Sequence, residues 1–328
     1  MKLSNSKIIY WGILGCGKIA HKFAQDLLTI PNAKLHAVAS RSLEKSKKFG
    51  KKYNSNRHYG SYVDLCLDAA IDVIYIATPH VFHYQQTLMC LNHKKAVLCE
   101  KPFAMNANQV NEMTLAAKRN NVFLMEAMWT YFLPHYQYVL TLIKKKELGE
   151  IKHLKIDFGY DFEFDSTSRV FDKKLGGGSL LDIGIYPLFA ALTMLGIPNQ
   201  IKAKAKMTST EVDESCRMSL AYESGAKAEL YCTLAARLNT EAIIEFDRGI
   251  VTIHEQFHKP SSVTIKTNES TKKLNFEVNT YGYNFEAEHV TELLLNNEKE
   301  SPIMSLDKSF QLIQLLDLVR SKIGLEYN

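Results

Sequence analysis

The sequence predicts a doubly wound α/β unit over residues 1–128, followed by an α+β unit with a large open, mainly antiparallel sheet over residues 129–328. Three observations predict it. Strand-like and helix-like segments alternate from the start of the chain to Glu126, the pattern of a parallel sheet with helices on both faces. After Met128 that rhythm gives way to short β-branched segments separated by turn residues. The length, 328 residues, also exceeds one ordinary core at about 150 residues per domain.

Residues 8–14 form a continuous apolar run, as expected of a strand buried on both faces of a parallel sheet. Ile19, Phe23 and Leu27 recur at four-residue spacing with Ala20, Ala24 and Leu28 beside them, giving one apolar helical face that Pro31 stops. A strand at 35–39 leads into a Lys-rich helix at 42–53, with Leu43, Ser46, Phe49 and Tyr53 facing inward. Strands at 73–77, 96–99 and 122–126 then enclose helices that reach about His93 and Ala117, making five βα units in a row. Beyond them, residues 151–161 alternate with period two. The glycine run 176–178 precedes an apolar helix at 180–195. Residues 201–265 read as antiparallel strands with turns at Glu223 to Gly225 and Asp247 to Gly249. Helices at 284–295 and 305–322 close the chain.

Composition narrows the function classes. With 46% hydrophobic and 23% charged residues the chain is neither disordered nor collagen-like, and no run of 18 or more apolar residues is present to span a bilayer. The net charge of +5 is mild and dispersed, and the lysine runs 45–52 and 144–146 lack interleaved aromatics, so neither nucleic acid nor a membrane is expected as a partner. Cysteines 16, 66, 90, 99, 216 and 232 include no C-x-x-C, which reads as reduced thiols in a cytoplasmic protein. Lys2 and the apolar run ending at Leu14-Gly15-Cys16 imitate an export signal, but a helix opening runs straight through the supposed cleavage point.

Gly15-Cys16-Gly17-Lys18-Ile19-Ala20 is a G-x-G-x-x-A pattern between a strand and a helix. The first glycine permits the turn, the second lets main chain approach a pyrophosphate, and Ala20 allows close packing, with the helix N-terminus facing the anion. At the end of the second strand, Ser40-Arg41-Ser42 offers no carboxylate for a ribose 2′-hydroxyl. Arg41 presents a fork to a 2′-phosphate, Ser40 a further donor and Lys45 added field, so NADP is expected rather than NAD. Arg41 also fits a surface residue ahead of a Ser42 helix cap. Two later strand ends belong on the same edge: Ala77-Thr78-Pro79-His80 with His83, and Cys99-Glu100-Lys101-Pro102. The charges of the latter are expected to face the cofactor, with Lys101 on the nicotinamide ribose. A rigid turn with a solvated ion pair is the alternative.

These motifs, together with Leu175 to Tyr186 (L-G-G-G-S-L-L-D-I-G-I-Y), Met125-Glu-Ala-Met-Trp129-Thr and Glu286-Ala-Glu-His289-Val, resemble the Gfo/Idh/MocA family of oxidoreductases. Within it they look most like the dihydrodiol dehydrogenase and NADP D-xylose dehydrogenase branch. The resemblance covers nearly the whole chain. It implies a Rossmann domain, a substrate pocket between the domains, and a homodimer or higher oligomer through the C-terminal sheet. It also implies hydride transfer between nicotinamide and a carbinol or carbonyl of a sugar or cyclic diol.

Asp182 and Tyr186 stand four apart in a helix-forming stretch and so share a face. A phenol titrates near 10 when unperturbed. A lysine ammonium favours the phenolate, which makes Lys101 the partner that brings Tyr186 to useful basicity. That branch uses such a Lys–Tyr pair, where many relatives carry histidine in place of Tyr186. Asp182 then orients substrate, and Arg169 is placed to bind a substrate hydroxyl or carboxylate, though a surface role fits it equally. The structural alternative makes Tyr186 core and Asp182 a cap, at the cost of an uncompensated buried carboxylate. Trp129 reads as a wall of the nicotinamide pocket or as junction packing. His83 and His289 lack ligand-spaced partners, so no metal site is expected. Relatives often have arginine after Trp-Thr where this chain has Tyr131, so that guanidinium is absent here and the resemblance does not by itself carry their substrates over. Two other readings keep the fold: a cofactor-recycling, glycosidase-like enzyme, and a catalytically inactive NADP-binding regulator.

Overall fold

A computed structural model describes residues 7–327, so Lys2 of the supposed export signal lies outside the described residues. The chain forms two compact units, Met1–Trp129 with Asn279–Phe310, and Thr130–Val278 with Gln311–Asn328. The first boundary falls after Trp129. The second unit is not the unbroken 129–328 expected, because residues 279–310 return to the first.

The first unit is built on a six-stranded parallel sheet. In chain order its elements are β1 (Ile9–Leu14), α1 (Lys18–Leu27), β2 (Ala33–Ala39), α2 (Leu43–Lys52), β3 (Arg57–Tyr59), α3 (Tyr62–Leu67), β4 (Val73–Ile76), α4 (His83–Asn92), β5 (Ala96–Glu100), α5 (Ala107–Asn120) and β6 (Leu124–Ala127). The strand order is β3-β2-β1-β4-β5-β6. It reverses between β1 and β4, and a ligand crevice opens at the strand ends of such a switch point. The short β3 and α3 went unpredicted, since three residues carry too little pattern to read. Ser42, Ser61 and Asn106 cap α2, α3 and α5 by accepting a main-chain N–H three residues on. Leu28 and Leu43, expected inside, are 52% and 44% exposed, because each lies at a helix end where the apolar stripe turns away from the sheet.

The second unit contains α6 (Pro134–Lys144), β7 (Ile151–Gly159), α7 (Ile185–Leu195), β8 (Gln200–Met207), β9 (Asp213–Ala221), β10 (Lys227–Thr233), β11 (Ala242–Phe246), β12 (Gly249–Ile253), β13 (Val263–Lys266) and β14 (Thr271–Leu274). Eight strands run in the order β14-β13-β12-β11-β7-β10-β9-β8. All neighbours are antiparallel except β7 and β10. Helix α7 packs on β7 and β10. Side chains of the opposite face, among them Lys155, Arg217 and Glu229, are exposed. The stretch Lys173–Leu195 is long and apolar enough to cross a membrane by composition, yet 83% of its most apolar window is buried as the core of this unit.

The returning segment carries α8 (Tyr283–Leu295) and begins α9 (Leu306–Ile323). Helix α8 packs on α1 and β1, and the Trp11 indole donates to Thr291 on α8 at 3.3 Å. Asp26 at the end of α1 is buried, and its carboxylate accepts the main-chain N–H groups of Tyr281 (3.1 Å) and Tyr283 (2.8 Å). Another buried acid, Glu126 on β6, accepts the N–H of Phe103 at 2.9 Å. Burial pushes the Glu126 acid up to about 7, only partly offset by Ser309 and the Phe103 N–H. Asp213, fully buried in the second unit, is likewise pushed up to about 6 by burial.

Asp26→Ala strands the buried Tyr283 N–H and the part-buried Tyr281 N–H and should lower unfolding stability by about 2–4 kcal/mol in urea titrations; a loss under about 1 kcal/mol would exclude the anchor. Glu126 keeps a proton in the native state that the unfolded chain releases above its ordinary value of 4.5. Its contribution is therefore full below pH 4.5 and lost as pH rises through about 7. Glu126→Gln should flatten the decline of stability across that window, and an unchanged slope would contradict the assignment.

Candidate functional site

The glycine turn follows β1. Gly15 has φ +97°, and a Cβ there would lie 3.0 Å from both the Ala77 carbonyl oxygen and a Thr78 side-chain carbon, so glycine is required by conformation and by space. Gly17 differs. A Cβ on it would meet only the Ala77 carbonyl oxygen, at 3.8 Å, so no protein atom demands glycine there. That leaves room for an approaching ligand. Gly17 is also the N-cap of α1 and makes no side-chain cap bond, which leaves the N-terminal N–H groups of a ten-residue helix without a side-chain acceptor. The cradle fits a pyrophosphate.

Cys16 contributes main chain only. Its thiol is buried against the Ala39 carbonyl (3.6 Å) and pushed up to about 11 by burial. Lys18 is exposed and Ile19 half-buried on the first turn of α1. Ser40 is buried and accepts the N–H of Ser42 at 3.4 Å, while Ser42 caps α2 through the N–H of Lys45. Arg41 between them is exposed beside Tyr62. Both readings of this corner coexist: Ser42 is the cap, and Arg41 remains presented to solvent at the end of β2.

Two loops continue the same edge. Past β4, the Thr78 hydroxyl donates to Gln86 at 2.6 Å, and Pro79 starts a short turn at His80–Phe82. Past β5, Glu100 is buried and receives the Tyr75 hydroxyl, while Lys101 is half-buried ahead of a cis peptide to Pro102. Glu100, expected to face the cofactor edge beside Lys101, is packed inside the unit, where the Tyr75 hydroxyl supplies a partner. His83 is also wholly buried, with its ring nitrogens on the carbonyls of Thr78 and Pro102, both at 2.8 Å. It lies beneath the loops. Trp129 is buried and stacks on Tyr283, with centroids 4.4 Å apart and planes 11° from parallel.

The remaining residues belong to the second unit. Residues Leu180–Gly184 form a π-helical turn that leads into α7, so Asp182 precedes the regular helix and Tyr186 lies in its first turn. Arg169 reaches Asp182 with one nitrogen at 3.1 and 3.3 Å from its two carboxylate oxygens. Asp182 is thus compensated, which corrects the premise of an unpaired buried carboxylate, and Arg169 is more than a surface residue. Tyr186 is 7% exposed, with its ring 5.1 Å from His258 and 5.5 Å from Phe158. The glycine run is a structural cradle. Gly178 has φ +115°, and a Cβ there would overlap Asp213 Oδ1 at 2.2 Å. Asp213 in turn accepts from Ser179 (2.6 Å) and the Leu180 N–H (2.7 Å), which seats the start of the turn. Tyr131 packs edge-on against Phe189 of α7 at 5.1 Å.

The structure therefore brings Gly15, Gly17, Arg41, Thr78 and Lys101 to one strand-end edge of the first unit. It groups Arg169, Asp182 and Tyr186 in the second. Sequence reading missed Tyr75, Asp213 and His258. Tyr75 was the findable one, since a hydroxyl inside the apolar run Val73–Ile76 must have a buried partner.

Comparison with known proteins agrees with this layout. Residues 9–128 match a family described as an oxidoreductase family with an NAD-binding Rossmann fold, and residues 136–252 match a GFO/IDH/MocA C-terminal domain. The trans-1,2-dihydrobenzene-1,2-diol dehydrogenase of Xenopus tropicalis is 40% identical over 97% of this chain and 98% of that protein. The human protein of the same name is 33% identical over 97% of each. Among solved structures, a 3-ketoreductase from Actinomadura kijaniata in complex with NADP and TDP-benzene superposes with a TM-score of 0.88 at 22% identity, over 97% of this chain and 98% of that one. An aldose-aldose oxidoreductase from Caulobacter crescentus, complexed with glycerol, does so with a TM-score of 0.89 at 22% identity over the same shares. A glycine turn that fits a dinucleotide and end-to-end likeness in both sequence and fold place this chain in the Gfo/Idh/MocA family of oxidoreductases.

Proposed function

We propose that the protein is an NADP-dependent dehydrogenase or reductase acting on a carbinol of a cyclic diol or sugar, with Tyr186 as acid/base and Lys101 as its electrostatic partner. The observation that carries the reading is identity of 33–40% along 97% of the chain to dehydrogenases named for a cyclic trans-diol. Likeness of fold to a ketoreductase and an aldose oxidoreductase supports the wider sugar or diol class.

A bound nicotinamide dinucleotide supplies the hydride acceptor or donor. The chain supplies the rest. Gly15, Cys16 and Gly17 offer main chain to the pyrophosphate, and Lys18 and Ile19 open the helix behind it. Arg41 and Ser40 prefer a 2′-phosphate, because an exposed guanidinium with no neighbouring carboxylate at that strand end attracts a dianion. Thr78, Pro79 and Lys101 border the nicotinamide end, backed by Glu100 and His83, and Trp129 stacks below it on Tyr283. In oxidation Tyr186 takes the hydroxyl proton of the substrate as the hydride departs, and in reduction it returns that proton to the carbonyl oxygen. The Lys101 ammonium favours the phenolate form. Asp182, held by Arg169, orients substrate hydroxyls.

The six cysteines are all free and buried, which supports a reducing, cytoplasmic setting. The exposed face of the eight-stranded sheet supports a homodimer formed through it. Arg217 lies over the Tyr231 ring there, 4.0 Å from its centroid.

Reduction of NADP⁺ by a panel of trans-diols, aldoses and deoxy-sugars, read by absorbance of the reduced cofactor, should reveal turnover. Tyr186→Phe should then lower kcat/KM by about 10²–10⁴-fold with NADPH affinity retained. Arg41→Ala should weaken NADP⁺ about 10–100-fold and leave NAD⁺ unaffected. Silence across the panel in a protein that binds NADPH tightly would favour the cofactor-recycling or regulatory reading. Light scattering should give twice 37.3 kDa for the protein, falling to the monomer in Tyr231→Glu. A wild-type monomer would reject the dimer.

A further inference from the structure

We propose that His83 is a buried imidazolium that donates from both ring nitrogens and clamps together the loops after β4 and β5, so that it positions Lys101 for cofactor binding. The inference rests on reading that edge as the nicotinamide dinucleotide site.

His83 opens α4 and is fully buried. Nε2 lies 2.8 Å from the Thr78 carbonyl oxygen, and Nδ1 lies 2.8 Å from the Pro102 carbonyl oxygen. A main-chain carbonyl carries lone pairs and no hydrogen, so it only accepts. Both hydrogens must then come from the ring, and only the imidazolium has two N–H groups. Either neutral tautomer would aim a nitrogen lone pair at a carbonyl oxygen at the same distance. Bonds from a charged donor are also shorter and stronger than neutral ones, which offsets part of the desolvation cost.

The clamp joins neighbouring strands. β4 pairs with β5 in parallel register, Ile76 opposite Cys99, and Thr78 and Pro102 lie just past those partners. The same turn is held on other sides by Tyr75 on Glu100, by the Glu126 carboxylate on the Phe103 N–H at 2.9 Å, and by the Cys99 thiol on the Phe103 carbonyl at 3.9 Å. Lys101 thus sits between two pinned residues, and loosening one carbonyl lets its main chain shift.

Titratable groups on the elements around α4 are Tyr62, Asp64 and Cys66 of α3, Tyr75 of β4, Cys99 and Glu100 of β5, and Glu112, Lys118 and Arg119 of α5. His80, in the preceding turn, has its ring 6.0 Å from that of His83. Tyr84 and Cys90 lie on α4 itself, and Lys101 and Glu126 border the clamped turn. Tyr84 donates to Glu112, and Cys90 meets Cys66. The two carbonyl oxygens are its direct acceptors.

Long-range ¹H–¹⁵N correlation spectra of histidine-labelled, cofactor-free protein would read both ring nitrogens of His83, linked to its own backbone for assignment. At neutral pH both should carry hydrogen. One bare and one protonated nitrogen would overturn the proposal. Fluorescence titration with NADPH supplies the functional arm. Wild-type affinity should track the imidazolium fraction as pH rises, and His83→Gln, with a single donor group, should bind at least about tenfold more weakly. A folded His83→Gln protein with unchanged affinity would refute the clamp. If that variant does not fold, the wild-type pH series decides, since affinity that ignores the His83 titration also refutes it. Failure of the wild type to bind any nicotinamide dinucleotide would reject the cofactor reading, while the spectra would still decide the charge.

Discussion

A parallel sheet has to be covered on both faces, and in the first unit that requirement draws chain back from far along the sequence. Residues 279–310 return so that α8 can lie on α1 and β1. Asp26 secures the arrival by taking two N–H groups at the start of α8, and the Trp11 indole meets Thr291 one turn from its other end. Phe23 on α1 then stacks on Tyr75 in β4, with centroids 3.6 Å apart, so the covering helices and the central strands become one packed layer. Tyr75 points its hydroxyl at Glu100. The cover and the strand-end edge are therefore continuous.

This continuity gathers several acids where water is excluded. Glu286 on α8 is fully buried, neither of its oxygens has a hydrogen-bond partner, and its acid is raised well above the carboxylate range by burial, by Glu100 and by Asp26. Glu126 is pushed up to about 7 by the same cause. Glu100 takes the Tyr75 hydroxyl and Glu126 the Phe103 N–H, while Lys18, Arg41 and Lys101 keep their exposure along the edge. An edge of that polarity suits the pyrophosphate of a dinucleotide.

The second unit solves a different problem. The turn that leads into α7 must begin inside the core, where its first N–H groups would be stranded. Asp213 fills that role from β9, and the close approach it requires explains why Gly178 has no room for a side chain. A π-helical turn then widens the spacing before α7, and Arg169 neutralises the one carboxylate it carries. Tyr186 emerges beside His258 and Phe158 with its ring fixed by packing.

Much of this was legible in sequence. The five longer strands of the first unit, the glycine turn, the strand ends at Thr78 and Lys101, and the helix carrying Asp182 and Tyr186 all follow from local rules: an apolar period, a backbone conformation open to glycine, a cap residue. Such rules act over a few residues, so a linear string records them. The return of residues 279–310, the inward turn of Glu100, the burial of His83 beneath two loops and the pairing of Arg169 with Asp182 were decided by tertiary structure. Each depends on a partner 13 to more than 250 residues away, or on which face of a loop meets solvent. Tyr75 stands at the boundary between the two. Its residue type announced a buried hydroxyl in need of an acceptor, and only the fold chose Glu100, because β4 and β5 lie side by side.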